Sequence, residues 1–435
     1  MRQIKIAFIG GGSAKFVGGL VRDLFSFEEL RGSRIALMDI DRTRLERSRR
    51  YVLKMIEDLG IAADVEATTD QRRALAGADY VVVTIMVGGF KHYQSDGSIP
   101  KKYGVLITVG DTIGPGAVMR LVRTGPVLEE VARNLGEVAP QAWVLNYTNP
   151  MAMCTWTLLD AGHERTVGLC HSVQGCYREI AQWLGIPHEE VRYTAGGINH
   201  INFYLTLTHQ GRDLYPLLLK KKDALIAEDP SRRVKFELLE CLGGWPCEGQ
   251  HHQTEYYPWF RKNRRLAEKH YAVQTMWGYH WDKYHNTRLD RFTDEMIAGT
   301  RPLDLKRSLE FGAWMIHSME TGAPRVVYGN VRNAGLIENL PPRAVVEVPC
   351  LVDSSGVTPC RVGRIPEPLA AVMAPHIAVH EMAVDGVRRR DRKRLLQAVQ
   401  ADPLTGAILT LPQIRAMTEE LFRENRRYMK GWGKE

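Results

Sequence analysis

A thiol and an imidazole, Cys170 and His200, each stand at the end of a short apolar segment, Thr166-Val167-Gly168-Leu169 and Gly196-Gly197-Ile198. Together they can hold one divalent ion and leave the rest of its shell open for substrate oxygens, as in a catalytic rather than a structural centre. No spacing motif links them, so on the residues alone a buried thiol beside an unrelated polar histidine is the commoner arrangement. His171, next to Cys170, reads as a ligand, a substrate contact or a core histidine. Asp111, in Gly110-Asp111-Thr112-Ile113-Gly114-Pro115-Gly116, is a carboxylate in a mobile, glycine-bordered loop; it could act as acid or base, or cap the next helix. The stretch Gln250-His251-His252-Gln253-Thr254-Glu255-Tyr256-Tyr257-Pro258-Trp259-Phe260 is dense in titratable and aromatic groups. A tyrosine there becomes a base if a metal or lysine lowers its pKa, although aromatic packing at a domain interface is commoner.

Such residues need elements that bring them together. The chain opens with Ile4-Lys5-Ile6-Ala7-Phe8-Ile9, an apolar strand running into the turn Gly10-Gly11-Gly12-Ser13. Small glycines let a backbone approach a pyrophosphate, and the following helix points its N-terminal amides and positive dipole end at the charge. Phe16, Val17, Leu20, Val21 and Leu24 mark that helix by their spacing. Lys15 stands where the usual pattern has a third glycine, which makes the partner acid important. Arg34-Ile35-Ala36-Leu37-Met38-Asp39 supplies it, a second strand ending in a carboxylate where a ribose hydroxyl needs an acceptor. Gly10, Gly12, Ser13 and Asp39 are the candidate cofactor contacts, and an acid at 39 favours NAD over NADP.

Strands and helices alternate through the first two hundred residues. Ala78-Asp79-Tyr80-Val81-Val82-Val83-Thr84-Ile85 reads as a strand buried on both faces of a parallel sheet, and residues 88–114 as a polar loop. The alternation predicts an α/β fold, a Rossmann-like doubly wound sheet over residues 1–195. Ligands of such sheets sit beyond the carboxyl ends of the strands, where Asn146-Tyr147-Thr148-Asn149-Pro150, Cys170-His171-Ser172 and Asn199-His200 fall. After about residue 200 the pattern changes to long helices and a few strands, including Val345-Val346-Glu347-Val348. Residues 196–435 read as a mixed α+β domain for substrate, metal and oligomerisation.

The net charge of +8 is concentrated in Lys220-Lys221-Lys222 and in residues 388–394, without the interleaved aromatics that stack on bases. Solvated helix faces account for it, and no nucleic-acid partner is expected. No apolar run is long enough to span a bilayer, and no signal peptide is evident at the N-terminus. Seven scattered cysteines, an odd number, speak against a disulfide framework and place the chain in a reducing cytoplasm.

Taken together the motifs resemble glycoside hydrolase family 4, within it the α-galactosidases of the melibiase type. The likeness runs almost end to end, through Leu37-Met38-Asp39-Ile40-Asp41, residues 111–116 and 146–153, Gly168-Leu169-Cys170-His171-Ser172-Val173-Gln174-Gly175, Gly197-Ile198-Asn199-His200, residues 328–333 and Val346-Glu347-Val348-Pro349. The resemblance implies NAD and a manganese-type cation (Mn²⁺), with Cys170 and His200 as metal ligands. It also implies a route other than two-carboxylate hydrolysis: oxidation at C3 of the sugar, loss of the C2 proton, elimination across C1–C2, water addition and re-reduction. Tyr256 is the candidate base by its match to a Glu-Tyr-x-Pro-Trp-Phe stretch, and the loose alignment there leaves Tyr257 open. Asp111 is implied as acid or metal-side carboxylate, and Asn149 and His171 as substrate contacts. Relatives acting on 6-phosphorylated sugars carry an arginine where Tyr93 falls, with only Lys91 and His92 nearby as substitutes, so an unphosphorylated α-galactoside is expected. An α-glucosidase or an α-glucuronidase/α-galacturonidase is the alternative within the family, and a lactate or malate dehydrogenase-like oxidoreductase the alternative outside it. The resemblance further implies a homodimer or homotetramer.

Overall fold

The computed structural model describes residues 2–275, 290–302 and 306–433, apart from the side chains of residues 14–16, so Lys15 and Phe16 of the sequence reading fall outside it. Among the described residues thirteen strands form a single sheet. The first six are β1 (Lys5–Ile9), β2 (Arg34–Met38), β3 (Asp64–Thr68), β4 (Tyr80–Val83), β5 (Trp143–Asn146) and β6 (Thr166–Gly168). They pair in parallel in the order β3-β2-β1-β4-β5-β6, the Rossmann order, with the strand sequence reversing between β1 and β4. All of Tyr80–Val83 is buried, because helices cover both faces; this is why β4 is written as an unbroken apolar run.

The remaining strands continue the same sheet in antiparallel fashion: β7 (Val191–Ile198), β8 (Ile201–His209), β9 (Arg212–Asp213), β10 (Trp245–Pro246), β11 (Arg325–Arg332), β12 (Val345–Asp353) and β13 (Gly356–Pro359). From β6 the order runs β11-β12-β7-β8-β10, with β13 on β12 and β9 on β8. The seam between the parallel and antiparallel parts is short, a single pairing of Asn330 on β11 with Gly168 on β6. A β-carbon at Gly168 would collide with Thr155 and Met151 of the helix Met151–Asp160 and lie 3.0 Å from Cβ of Asn330 across the seam, so glycine lets strand, helix and β11 approach closely. The fold is thus a Rossmann-like sheet followed by a mixed α+β region. Among the described residues no helix is long and apolar enough to cross a membrane.

One element departs from expectation. Residues 88–114, read as a polar loop, contain the helix Gly89–Lys102. Gly97, Ser98 and Pro100 make its intrinsic helix propensity poor, and tertiary pairing overrides it. Asp96 of this helix accepts two hydrogen bonds from the buried guanidinium of Arg123, which also donates to the carbonyl of Val87 at 3.0 Å and to Asn425 at 2.8 Å. Such bidentate, fully partnered pairing fixes orientation as well as position. The other half of the expected loop is also held. The buried carboxylate of Glu255 accepts from the amides of Val109 (2.8 Å) and Gly110 (2.9 Å), pinning the segment that carries Asp111.

Candidate active site

The glycine turn lies at the end of β1, beside the point where the strand order reverses. Gly10 takes φ +95°, and a β-carbon there would lie 2.5 Å from the carbonyl oxygen of Thr84 at the end of β4. Only glycine suits both demands. The turn is tied to β2 by its own amides: Gly10 and Gly11 donate to the Met38 carbonyl (3.0 and 2.7 Å), and Gly12 donates to Asp39 Oδ2 (2.9 Å). Ser13 caps the helix Ala14–Phe25 without a side-chain hydrogen bond, leaving its hydroxyl uncommitted to the cap. The four expected cofactor contacts therefore share one corner of the crevice, around a helix N-terminus.

The second centre is assembled from side chains. Cys170 follows β6, and His200 occupies the two-residue turn between β7 and β8 with φ +66°, unusual for a residue with a β-carbon. Gln253 donates to the His200 carbonyl at 2.8 Å and so braces that turn. Glu248, just after β10, completes a cluster in which sulfur, imidazole nitrogen and carboxylate oxygen all lie within 4.8 Å of one another. It is the one such cluster among the described residues. Burial, with the carboxylates of Glu347 and Glu248, pushes the Cys170 thiol up to about 12. A thiolate there needs a cation beside it. Burial also opposes the charge on Glu248, yet His200 and His252 hold its carboxyl below the usual range.

His200 turns Nε2 toward Glu248 (3.3 Å) and Nδ1 toward the hydroxyl of Tyr256 (2.8 Å). His252 Nδ1 approaches the same hydroxyl at 3.0 Å. Tyr256 is buried, and burial with nearby Glu248, Glu255 and Asp111 raises its phenol well above the ordinary value. The neighbouring Tyr257 does not reach the cluster: its ring stacks on Trp259, and its buried hydroxyl has no partner among the described residues. Asp111 joins the site through Thr112, whose hydroxyl donates to Asp111 Oδ1 (3.1 Å) and lies 3.1 Å from His200 Nδ1. Asn149 donates to Asp111 Oδ2 at 3.2 Å. Burial disfavours the Asp111 charge, but Arg120, His252 and His200 outweigh it and keep the carboxyl below its usual range. His171 stands at the rim, largely exposed, with Nδ1 3.1 Å from Glu310, which pushes it up to about 9.

Sequence reasoning missed Glu248, Glu347 and the bracing Glu255. Glu248 follows Cys247 two residues before the titratable stretch, in a segment with no periodicity to betray its direction. Glu347 is an acid inside an apolar strand, an oddity that signals a buried role. It lies behind the cluster, its carboxylate receiving Asn202 Nδ2 at 3.3 Å, and burial raises it to about 7.

The family 4 glycosyl hydrolase pattern matches residues 5–186, and that family's C-terminal domain matches residues 195–405. The chain belongs to this family. Along with α-galactosidases from Bacillus subtilis (36% identical, 96% of this chain and 97% of the relative) and Rhizobium meliloti (35%, 97% and 88%), an α-galacturonidase from Lachnoclostridium phytofermentans is similar over nearly the whole chain (30%, 99% and 98%). A solved 6-phospho-α-glucosidase from gut microorganisms, in complex with NAD and Mn²⁺, superposes with a TM-score of 0.81 over 98% of this chain and 99% of its own, at 19% identity. The family 4 assignment makes the chain a glycosidase and sets the dehydrogenase alternative aside.

Proposed function

We propose that this family 4 enzyme hydrolyses unphosphorylated α-galactosides, holding NAD at residues 10–13 and Asp39 and a manganese-type cation at Cys170, His200 and Glu248. The observation that carries the reading is the thiol–imidazole–carboxylate cluster with a buried phenol hydrogen-bonded to its imidazole. When bound, NAD supplies a reversible hydride acceptor for C3 of the sugar, and the cation a Lewis acid for the oxygens on C2 and C3. The oxidation–elimination route then asks the protein for a base at C2 and an acid at C1. Tyr256 is the base. With the Nε2 lone pair of His200 turned into the cluster, Nδ1 carries the proton and donates to the Tyr256 oxygen, and His252 can donate a second time. Burial and the surrounding carboxylates hold this phenol protonated; two imidazole donors on its oxygen, with the charge of a bound cation, would oppose that shift and favour the anion. Asp111, oriented by Asn149 and Thr112 and kept ionised, serves as the metal-side carboxylate, the second of the two roles open to it. Asn149 and His171 complete the substrate contacts.

The galactoside assignment draws on the two relatives named as α-galactosidases and on Tyr93 standing where a phosphate-gripping arginine is expected. A cysteine ligand requires a reducing compartment, and with all seven cysteines free a cytoplasmic homodimer or homotetramer belongs to the same proposal. The test is a side-by-side assay of p-nitrophenyl α-galactoside, α-glucoside, α-galacturonide and a 6-phosphoglucoside with NAD, Mn²⁺ and reductant. Preference for the galactoside is expected. Preference for the phosphorylated sugar overturns the argument from Tyr93, and absence of solvent deuterium at C2 of product formed in D₂O overturns the elimination route.

A further inference from the structure

The helix Gln250–Tyr256 carries His252 and Tyr256 one turn apart, while Glu255, next to Tyr256, reaches a different segment. Its buried carboxylate accepts from three consecutive amides: Oε1 from Thr108 and Val109 (2.8 Å), and Oε2 from Gly110 (2.9 Å). Asp111 is the next residue of that loop, and the Thr112 hydroxyl after it lies 3.1 Å from His200 Nδ1. Arg261, wholly buried, closes the same junction. A guanidinium has five N–H groups, and here each finds an acceptor. Nε donates to Thr254 Oγ1 (2.7 Å), Nη1 to the carbonyls of Leu106 (3.3 Å) and Gln274 (3.1 Å), and Nη2 to Thr108 Oγ1 (2.7 Å) and the His251 carbonyl (3.3 Å). Nη2 also lies 3.8 Å from Glu255 Oε1. A buried charge is costly unless paired and hydrogen-bonded. This pair meets both conditions, and in doing so it joins segments that lie far apart in the chain.

We propose that Glu255 and Arg261 are positioning residues for the reaction: together they clamp the helix that bears Tyr256 onto the loop that bears Asp111, and so aim the phenol. The inference rests on the reading above in which Tyr256 is the base. Two features set the clamp apart from ordinary core packing. Glu255 precedes Tyr256 and Gly110 precedes Asp111, so the bonds act on the backbone one residue from each functional group. Those bonds also run mostly to main-chain groups, three amides and three carbonyls, so they fix the path of the backbone itself. A misplacement of about 1 Å at a reacting group costs about 10²-fold in rate. The bonds of the clamp go to residues 106–110, 251–254 and 274, and none to Cys170, His200 or Glu248, so its loss is expected in kcat rather than in metal affinity.

The test is a double-mutant cycle on the NAD- and Mn²⁺-loaded enzyme, with whichever p-nitrophenyl glycoside the side-by-side assay favours. Glu255→Gln and Arg261→Lys are each made in the wild type and in Tyr256→Phe. Rates are expressed per NAD site counted by fluorescence titration, which removes any unfolded fraction from the comparison. In the wild-type background each change should lower kcat by about 10–100-fold, with KM and the Mn²⁺ concentration for half activity within about threefold. Arg261→Met should lose more than Arg261→Lys, which keeps the charge. In the Tyr256→Phe background the same changes should cost less than about threefold, because the group they aim is gone. Equal factors in the two backgrounds overturn the proposal, as does a loss confined to KM or to Mn²⁺ affinity. A Tyr256→Phe enzyme as fast as wild type overturns the base assignment instead, and the role of the clamp falls with it. Thr108→Val, which removes one acceptor of Arg261 without emptying the junction, carries the same cycle if the buried variants fail to fold. Its expected loss is about 3–10-fold in the wild type, the size of one hydrogen bond, and none in Tyr256→Phe; equal losses again overturn the proposal.

Discussion

The two centres of this molecule are built in different ways. The glycine turn is backbone: Gly10, Gly11 and Gly12 donate their amides to β2 and its terminal Asp39, and the geometry follows from one strand-turn-helix joined to its neighbour. The thiol–imidazole–carboxylate cluster is side chain: Cys170, His200 and Glu248 arrive from three separate connections, and no two share an element. A backbone-built site survives most side-chain changes nearby. A side-chain-built site depends on every atom in it, and on the bonds that aim those atoms.

The contrast is broken if the cluster tolerates substitution. Glu248→Gln or Cys170→Ala should lower kcat by about 10³-fold or more, and chelation of the wild type should match it, while Ser13→Ala on the other flank stays within about threefold. Retention of more than a tenth of the rate in the Glu248 variant, measured over a Mn²⁺ titration, would remove Glu248 from the ligand set. Next in size is the phenol. Tyr256→Phe should cost about 10²-fold in kcat with KM nearly unchanged, and Tyr257→Phe close to nothing. The reverse ranking would move the base by one position.

Acid separates the site from its scaffold. Burial depresses His376 to about 4 and His380 to about 3, against an ordinary value of 6.5. His376 Nε2 donates to the Tyr256 carbonyl at 2.7 Å in this neutral state. The unfolded chain takes up protons as pH falls through about 6.5 and the folded chain does not, so their stabilisation is complete above that pH and is lost on acidification. Between pH 7.5 and 5.5 the pair should account for about 3 kcal/mol of lost stability in urea melts, and a His376→Asn, His380→Asn double variant should flatten that slope. An unchanged slope would place the acid sensitivity elsewhere. The smallest effect belongs to the turn: Asp39→Asn should raise KM for NAD by about tenfold at constant kcat, worth one charge-assisted hydrogen bond.

Local chemistry was legible and long-range geometry was not. Gly10 and Asp39 could be paired from sequence because adjacent parallel strands impose their proximity, and β4 because burial on both faces demands an unbroken apolar run. Cys170 and His200 were visible as strand-end residues, but the resemblance had to join them. Glu248 and Arg120 were silent, since an acid after a two-residue strand and an arginine inside a helix look like any solvated charge. Only the packing shows one aimed at the cluster and the other left without a partner while Arg123, one turn away, is fully bonded. The helix Gly89–Lys102 was hidden for the opposite reason, its poor propensity being overruled by the Asp96–Arg123 pair.

The narrow seam at Gly168 and Asn330 also divides the cluster. Cys170 lies two residues beyond Gly168, on the parallel side, whereas His200 and Glu248 are carried by the β7–β8 turn and the segment after β10, on the antiparallel side. A cation gripped by all three is a cross-link as well as a reagent, stapling the halves of the sheet where their own ladder is one pairing long. By mass action such a staple adds about 2.7 kcal/mol of cohesion at a hundredfold excess over its dissociation constant. Catalytic competence and resistance to unfolding would then rise and fall together with the availability of one ion.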